Sequence, residues 1–185
     1  ARLQRRVQRY GWDLAAADYE ALWQRQLAPA QSALLEAAAL APGERVIDVA
    51  CGTGIVSTAA AHAVGASGQV LGIDIAEQMV AAARQHAPPQ AQFMRRDGEA
   101  LEGIADASFD IALCALGLMY MPSPERALRE MARVLRPGGR IALAVWGERA
   151  RCGWAPLFPI VEAEVASDVC PLFFRLGQRD TLARL

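Results

Sequence analysis

The sequence has no apolar run approaching the roughly 20 residues a bilayer-spanning helix needs. Nor does it carry a leader with a basic start, an apolar middle and a small-residue cleavage site. It reads as a cytoplasmic protein with no membrane span. Cysteine is sparse. Cys51, Cys114, Cys152 and Cys170 stand far apart, without a C-x-x-C pair, which excludes a zinc ribbon and a disulfide framework in favour of reduced thiols. No metal site is expected. Histidine is sparser still, with only His62 and His86. His62 sits in an alanine-rich helical run and reads as a surface residue. His86, just before Pro88-Pro89, reads as a helix-ending residue that suits the helix dipole. Neither is a candidate general base, so no catalytic residue is assigned. There is no G-x-S-x-G and no Ser, His, Asp order, so covalent catalysis is unsupported. A charge excess is also missing. The net charge is −1 and the pI about 6.2, which removes the electrostatic case for nucleic acid. Arg2, Arg5, Arg6 and Arg9 do cluster at the front. They are expected to form a solvated helix face or a frayed end, not a polyanion site.

What is present is a long alternation of short apolar runs and helical stretches. With 185 residues and 54% hydrophobic content, the chain is expected to form one globular domain with a sizeable core. Residues 11–27 read as an amphipathic helix carrying Trp12, Tyr19, Leu22 and Trp23. A second helix is expected over residues 29–40, opened by Pro29. Strands are predicted over residues 46–50, 69–74, 91–95, 111–115 and 140–146. Helices are predicted over residues 55–64, 76–86 and 123–135, the last with Ser123 as its N-cap. Arg136-Pro-Gly-Gly139 reads as a turn. Beyond Trp146 the pattern changes: residues 153–165 read as helical, residues 169–174 as an apolar patch broken by Pro171, and residues 181–185 as the start of another helix.

Continuous apolar strands alternating with helices predict an α/β fold, a Rossmann-like doubly wound sheet of five parallel strands with helices on both faces. Ligands in such sheets bind beyond the carboxyl ends of the strands, where the strand order reverses. Gly52-Thr53-Gly54, Asp74, Asp97 and Ala115 all fall on that edge. The glycine turn lacks the third glycine of the dinucleotide fingerprint, since Ile55, Val56 and Ser57 follow it. Asp48 beside it repels a diphosphate and favours a cation or an ammonium group. Asp74, ending strand two, can accept from a ribose diol. Ile75 can lie against an adenine and Asp97 can accept from its amine. The pocket so described takes an adenosine at one end and a cationic, phosphate-free group at the other, which fits S-adenosylmethionine.

Five segments in order, Val46-Ile-Asp-Val-Ala-Cys-Gly-Thr-Gly54, Gly72-Ile-Asp74, Arg96-Asp97-Gly-Glu-Ala-Leu101, Ser108-Phe-Asp110 and Leu135-Arg-Pro-Gly-Gly139, resemble the class I S-adenosylmethionine-dependent methyltransferases. The likeness covers roughly residues 10 to 147 and is greatest to the ubiquinone/menaquinone-biosynthesis-type small-molecule enzymes. It implies that Gly52 and Gly54 approach the methionine part and that Asp48 holds its amino group through water. It implies Asp74 on the ribose with Ile75 on the adenine face, and Asp97 on the adenine amine with Gly98 beside it. The carbonyl of Ala115 is left to the methionine amine. Ala50 stands where this family often has glycine, and Tyr19 is expected to close over the cofactor. The product is S-adenosylhomocysteine.

The layout this implies is a cap of helices over residues 1–44, a cofactor-binding core over residues 45–147 and a helical acceptor-side segment over residues 148–185. The family's usual last two strands are absent, so strand five is expected to be an open edge. Either the chain is truncated or another chain, such as the second copy of a homodimer, covers that edge. Acceptor contacts are expected from Tyr19 and Trp23, from residues 116–121 and from Trp146 onward, with Leu118, Met119, Met121 and Trp146 forming an apolar mouth. A small hydrophobic acceptor fits better than nucleic acid. Cys51 reads as a packing residue, and Arg149 and Arg151 as solvated loop charges. Two alternatives stay open: a non-catalytic S-adenosylmethionine-binding or subunit domain, and a nicotinamide-dependent oxidoreductase.

Overall fold

A computed structural model describes residues 2–164 and 173–185. Helix α1 (Arg2–Ala15) and helix α2 (Tyr19–Ala38) precede the sheet. Then follow β1 (Arg45–Val49), α3 (Ile55–Val64), β2 (Gln69–Asp74), α4 (Glu77–Gln85), β3 (Ala91–Arg95), β4 (Phe109–Ala115), α5 (Pro124–Val134) and β5 (Leu135–Ala144). The strand order is β3-β2-β1-β4-β5, and every pairing is parallel. The order therefore reverses between β1 and β4, and the chain leaves the sheet there in opposite directions. Helix α6 (Leu157–Glu164) and a last short helix, Arg179–Ala183, follow the sheet. No strand beyond β5 is present among the described residues, so β5 is an edge. Cys170 and most of the proline-broken patch lie outside the described residues.

Alternation along each strand divides the core in two. Val46 on β1 and Ile111 and Leu113 on β4 pack with Val56, Ala60 and Val64 of α3 and Val80 of α4. Ile47 and Val49, with Ala112 and Cys114, point the other way and pack with Ala127, Met131 and Val134 of α5. Both faces are covered, which is why these strands read as unbroken apolar runs.

The helices before the sheet are cut differently from the sequence reading. The break falls at residues 16–18, and α2 then runs through Pro29 without interruption. Proline removes one N–H from the helix ladder. Burial of Leu27 and Leu34 on either side holds the helix on the core all the same. Asp13, in the last turn of α1, ties that helix to α4. Its Oδ1 accepts the N–H of Gln78 in the first turn of α4 at 2.9 Å, where Ala76 offers no side-chain cap. Ser123 stands at the N-cap of α5 as expected, but its hydroxyl makes no cap hydrogen bond. Its backbone N–H is taken by Glu99.

Arg136-Pro-Gly-Gly139 is a bulge within β5, not a turn before it. Phe109 pairs with Leu135, the register then slips, and Ile111 pairs with Arg140. Gly138 sits at φ 83°. A Cβ on Gly139 would stand 2.9 Å from the Arg136 carbonyl. Regular pairing ends at Ala144, two residues short of Trp146. At this amino end of the sheet, Asp110 accepts the Arg45 N–H at 2.8 Å and pairs with Arg136 at 2.7 Å. Arg140 donates to the Ala38 and Ala39 carbonyls ending α2 and pairs with Glu44, whose carboxyl is held below its usual range by that hydrogen bond.

Candidate functional site

At the carboxyl end of β1 the chain makes three left-handed residues in five: Ala50 at φ 60°, Gly52 at 55° and Gly54 at 87°. Only glycine takes this region without penalty, so Ala50 carries strain. The loop is braced from outside. Cys51 N–H donates to the Ile73 carbonyl and Gly52 N–H to Asp74 Oδ2, each at 2.9 Å. The other Asp74 oxygen accepts the Ala76 N–H at 2.9 Å. A carboxylate has about four lone-pair positions, so Asp74 retains acceptor capacity toward the open space beside it. Burial pushes its pKa up against the pull of these backbone donors.

A cleft of about 430 Å³ opens over this edge. Of the residues expected in the site, Tyr19, Ala50, Gly52, Asp74, Ile75, Asp97, Gly98 and Ala115 all line it. A Cβ on Gly52 would meet nothing within 4 Å, whereas one on Gly98 would stand 2.8 Å from Val49 and from Met121. Gly52 thus leaves the backbone open to a ligand, and Gly98 is a packing glycine. Gly54 does not reach the cleft. It precedes α3, and a Cβ there would meet Ala83 and Phe93 at 3.0 Å.

Asp48 lies behind the cleft, on a small recess it shares with Tyr19, Gln31, Gly52, Thr53 and Ala115. Ser57 donates to its Oδ2 at 2.6 Å. Among the described residues, Asp48 Oδ1 and Thr53 Oγ1 are buried with no hydrogen-bond partner. Burial lifts the Asp48 carboxyl to about 7, against the Ser57 hydrogen bond, and the nearby Asp74 adds to the rise. Two unmet polar atoms at one recess would each cost roughly 1–3 kcal/mol if nothing entered it. Their chemistry suits a small polar group that donates hydrogen bonds, such as an ammonium. Cys51 is buried, and burial holds its thiol well above the usual range, which fits packing and not nucleophilic chemistry.

Asp97 is less open than the sequence implied. Its Oδ1 accepts the Glu99 N–H at 2.9 Å and its Oδ2 pairs with Arg5 at 3.1 Å. Arg5 also pairs with Glu99, a residue only 1% exposed. The arginine cluster of α1 is therefore divided. Arg5 turns inward with Gln8 and Trp12 to line the cleft, while Arg6 and Arg9 stay exposed.

The far wall is aromatic. Trp12 stands edge-on to Tyr19 (5.8 Å between centroids) and to Tyr120 (5.1 Å). Tyr120 meets Phe173 at 5.2 Å, Phe173 meets Trp154 at 5.1 Å, and Trp154 meets Trp146 at 5.2 Å. All six rings line the cleft. The wall offers no ready base. Burial, with Asp74 close by, pushes Tyr19 up to about 12, and burial pushes Tyr120 higher still. His62 and His86 are exposed and line no part of the cleft. Leu118 and Met119, expected at the apolar mouth, are core residues instead, 0% and 2% exposed. The short turn Leu118–Tyr120 directs them inward and leaves Tyr120 and Met121 on the cleft. Among the described residues, no group of three His, Cys, Asp or Glu could hold a metal ion.

Sequence reasoning did not find Arg5, Gln8, Gln31, Glu99, Trp154 or Phe173. For Arg5, Gln8 and Trp12 a signal existed in their one-face helical spacing. The others are set by tertiary contact alone.

Residues 47–143 match the methyltransferase domain family. The chain is 34% identical over 121 residues to the demethylmenaquinone methyltransferase of Lysinibacillus sphaericus, across 65% of this chain and 52% of that one. It is 36% identical over 125 residues to the ubiquinone biosynthesis O-methyltransferase of Idiomarina loihiensis, across 66% of this chain and 49% of the other. The chain spans about half the length of the curated relatives it matches. A solved S-adenosylmethionine-dependent methyltransferase from Aquifex aeolicus shares the fold, with a TM-score of 0.60 over 66% of each chain at 23% identity.

Proposed function

The chain belongs to the class I S-adenosylmethionine-dependent methyltransferases, and from that premise we propose that it transfers the donor's methyl group to a small hydrophobic acceptor. The observation that carries the acceptor class is the continuous aromatic wall without a charged base, facing the Gly52 loop across one cleft. An acceptor with a flat ring fits that wall. The names of the demethylmenaquinone and ubiquinone relatives point the same way.

Bound S-adenosylmethionine supplies an electrophilic methyl group on a sulfonium, so the donor arrives activated. The chain's residues then bind, orient and exclude water. Asp74 accepts from the ribose hydroxyls with lone pairs left over from Gly52 and Ala76. Ile75 packs on the adenine, and Asp97, beside Arg5, accepts from the adenine amine. The recess at Asp48 and Thr53 takes the methionine ammonium, with Gln31 and the Ala115 end of β4 next to it. Gly52 keeps side-chain bulk away from the methionine chain. Tyr19 and the wall close the cleft to water. Residues 1–44 act as the cap, residues 45–147 hold the donor and residues 148–185 face the acceptor. The reaction then needs an acceptor whose attacking atom gives up its proton easily. Among the described residues Cys51, Cys114 and Cys152 are free thiols, which suits a cytoplasmic setting, and a second chain along β5 would cover the edge that the described residues leave open.

Calorimetry with S-adenosylhomocysteine, followed by mass-spectrometric detection of transfer from an isotope-labelled methyl donor to a panel of hydrophobic phenols and quinols, tests this reading. Binding with transfer is expected. Binding without transfer to any acceptor would make this a non-catalytic donor-binding domain, and preference for NAD would overturn the donor assignment.

A further inference from the structure

Helix α1 has two working faces, and the site uses only one. At about 100° per residue, Leu3, Val7, Tyr10 and Leu14 fall within about 60° of one another, roughly opposite Arg5, Gln8 and Trp12. The inner set lines the cleft. The outer set is exposed: Leu3 by 74%, Val7 by 51%, Tyr10 by 66% and Leu14 by 67%. A helix packed on a core turns its apolar stripe inward. Here the stripe faces out along the whole 14-residue helix.

Charge identifies what covers it. Arg6 and Arg9 are exposed on the flank between the two faces. Together with Arg95 and Arg96, whose guanidiniums also donate to the Ile75, Glu102 and Arg95 carbonyls, they line a shallow depression beside the cleft that holds one acid, Asp97, already paired with Arg5. Among the described residues, Arg6 and Arg9 form no ion pair with an acidic side chain. The only acid on α1, Asp13, is engaged with the Gln78 N–H. The whole chain has a net charge of −1, so this basic margin is local to α1 and the end of β3. An apolar stripe edged by arginines, on a helix of low overall hydrophobicity, is the pattern of a helix that lies in a membrane interface. The spacing of the stripe would also serve a coiled-coil seam. Self-pairing along that seam would leave Arg9, Arg95 and Arg96 without counter-charge, whereas anionic headgroups supply it.

We propose that the outer face of α1 docks on an anionic lipid bilayer, with Leu3, Val7, Tyr10 and Leu14 at the acyl boundary and Arg6, Arg9, Arg95 and Arg96 on headgroup phosphates. Docking of this kind sets the cleft one helix diameter, about 10 Å, from the lipid. Delivery of a membrane-dissolved acceptor by that route rests on the hydrophobic-acceptor reading above, but lipid binding itself does not.

Flotation of the full protein with vesicles tests the proposal, using phosphatidylcholine alone and phosphatidylcholine mixed with phosphatidylglycerol, at low and high salt. Binding is expected on the mixed vesicles, roughly tenfold or more weaker on the neutral ones, and weakened by salt. Val7→Ser with Leu14→Ser should abolish it, and Arg6→Glu with Arg9→Glu should abolish the preference for anionic lipid. Calorimetry with S-adenosylhomocysteine on the same samples should show an intact donor site, so loss of lipid binding is read separately from loss of fold or of donor binding. No flotation of the parent protein, or flotation indifferent to both variants, overturns the proposal. So does a dimer in sedimentation that Val7→Ser with Leu14→Ser converts to monomer, because it assigns the stripe to a second copy.

Discussion

Removing the Asp74 carboxylate tests the donor assignment most directly. Asp74→Ala deletes the acceptor of two backbone donors, Gly52 N–H and Ala76 N–H, each at 2.9 Å, and the acceptor assigned to the ribose. A hydrogen bond to a charged group is worth about 1.5–3 kcal/mol, so affinity for S-adenosylhomocysteine should fall by roughly 10- to 100-fold. Part of that loss could come from a slack Gly52 loop, so a ligand cycle separates the two. The parent protein should lose about 1–2 kcal/mol on binding an analogue without the 2′-hydroxyl. Asp74→Ala should lose almost nothing further on the same change, because the partner is already gone. Calorimetry gives all four affinities, and thermal melting confirms that the variant is folded. If the hydroxyl deletion costs the variant as much as the parent, Asp74 does not hold the ribose.

Ala50→Gly should stabilise the protein, because relief of a left-handed non-glycine residue gains about 1–2 kcal/mol against about 0.5–1 kcal/mol of added unfolded-state freedom. A melting temperature about 1–2 °C higher is expected, and a drop would show that Ala50 is not strained. Between the ordinary aspartate value near 4 and the folded value of about 7 for Asp48, the folded state holds a proton that the unfolded state has lost. Asp48 therefore lowers stability as pH rises through that window, by up to about 1.4 kcal/mol per pH unit. Asp48→Asn should flatten that part of the urea-midpoint profile, and an unchanged slope would argue against the buried carboxyl as its source. Affinity for S-adenosylhomocysteine should rise over the upper part of the same window, as Asp48 ionises beside the ligand's ammonium. Arg5→Ala should destabilise the fold by about 2–3 kcal/mol, because Glu99 is left buried and the partly exposed Arg5 discounts the usual 3–5 kcal/mol. Amide exchange that speeds up more across α1 than across the sheet would confirm Arg5 as the tie that holds the cap; equal speeding throughout would refute it.

The sheet was legible because its strands are buried on both faces and each is cut off by glycine, proline or a carboxylate. The donor edge was legible because a backbone turn makes it, and left-handed residues leave a mark at Gly52 and Gly54. Gly54 shows the limit of that mark. Its φ demands glycine, yet it serves α3 packing and not the cleft. The helix boundaries before the sheet failed because the break at residues 16–18 carries no proline or glycine to mark it, while core packing carries α2 through Pro29, where proline would be expected to open a helix. The aromatic wall was legible only at Tyr19, Tyr120 and Trp146, near strand ends or on an evident helix. Phe173 joins it from a segment whose position no local pattern sets. Arg5 was hidden among four similar arginines, since composition does not tell which one faces inward.

The amino end of the sheet bears on how this chain can change. There one carboxylate, Asp110, ties the start of β1 to the bulge of β5, and Arg140 clamps the end of α2. None of these groups lines the cleft. The groups that anchor the scaffold and the groups that line the cleft thus lie on opposite rims of the sheet and are different residues. The wall of rings, drawn from α1, α2 and the segments after β4 and β5, can therefore be rebuilt without disturbing a contact of the anchoring rim.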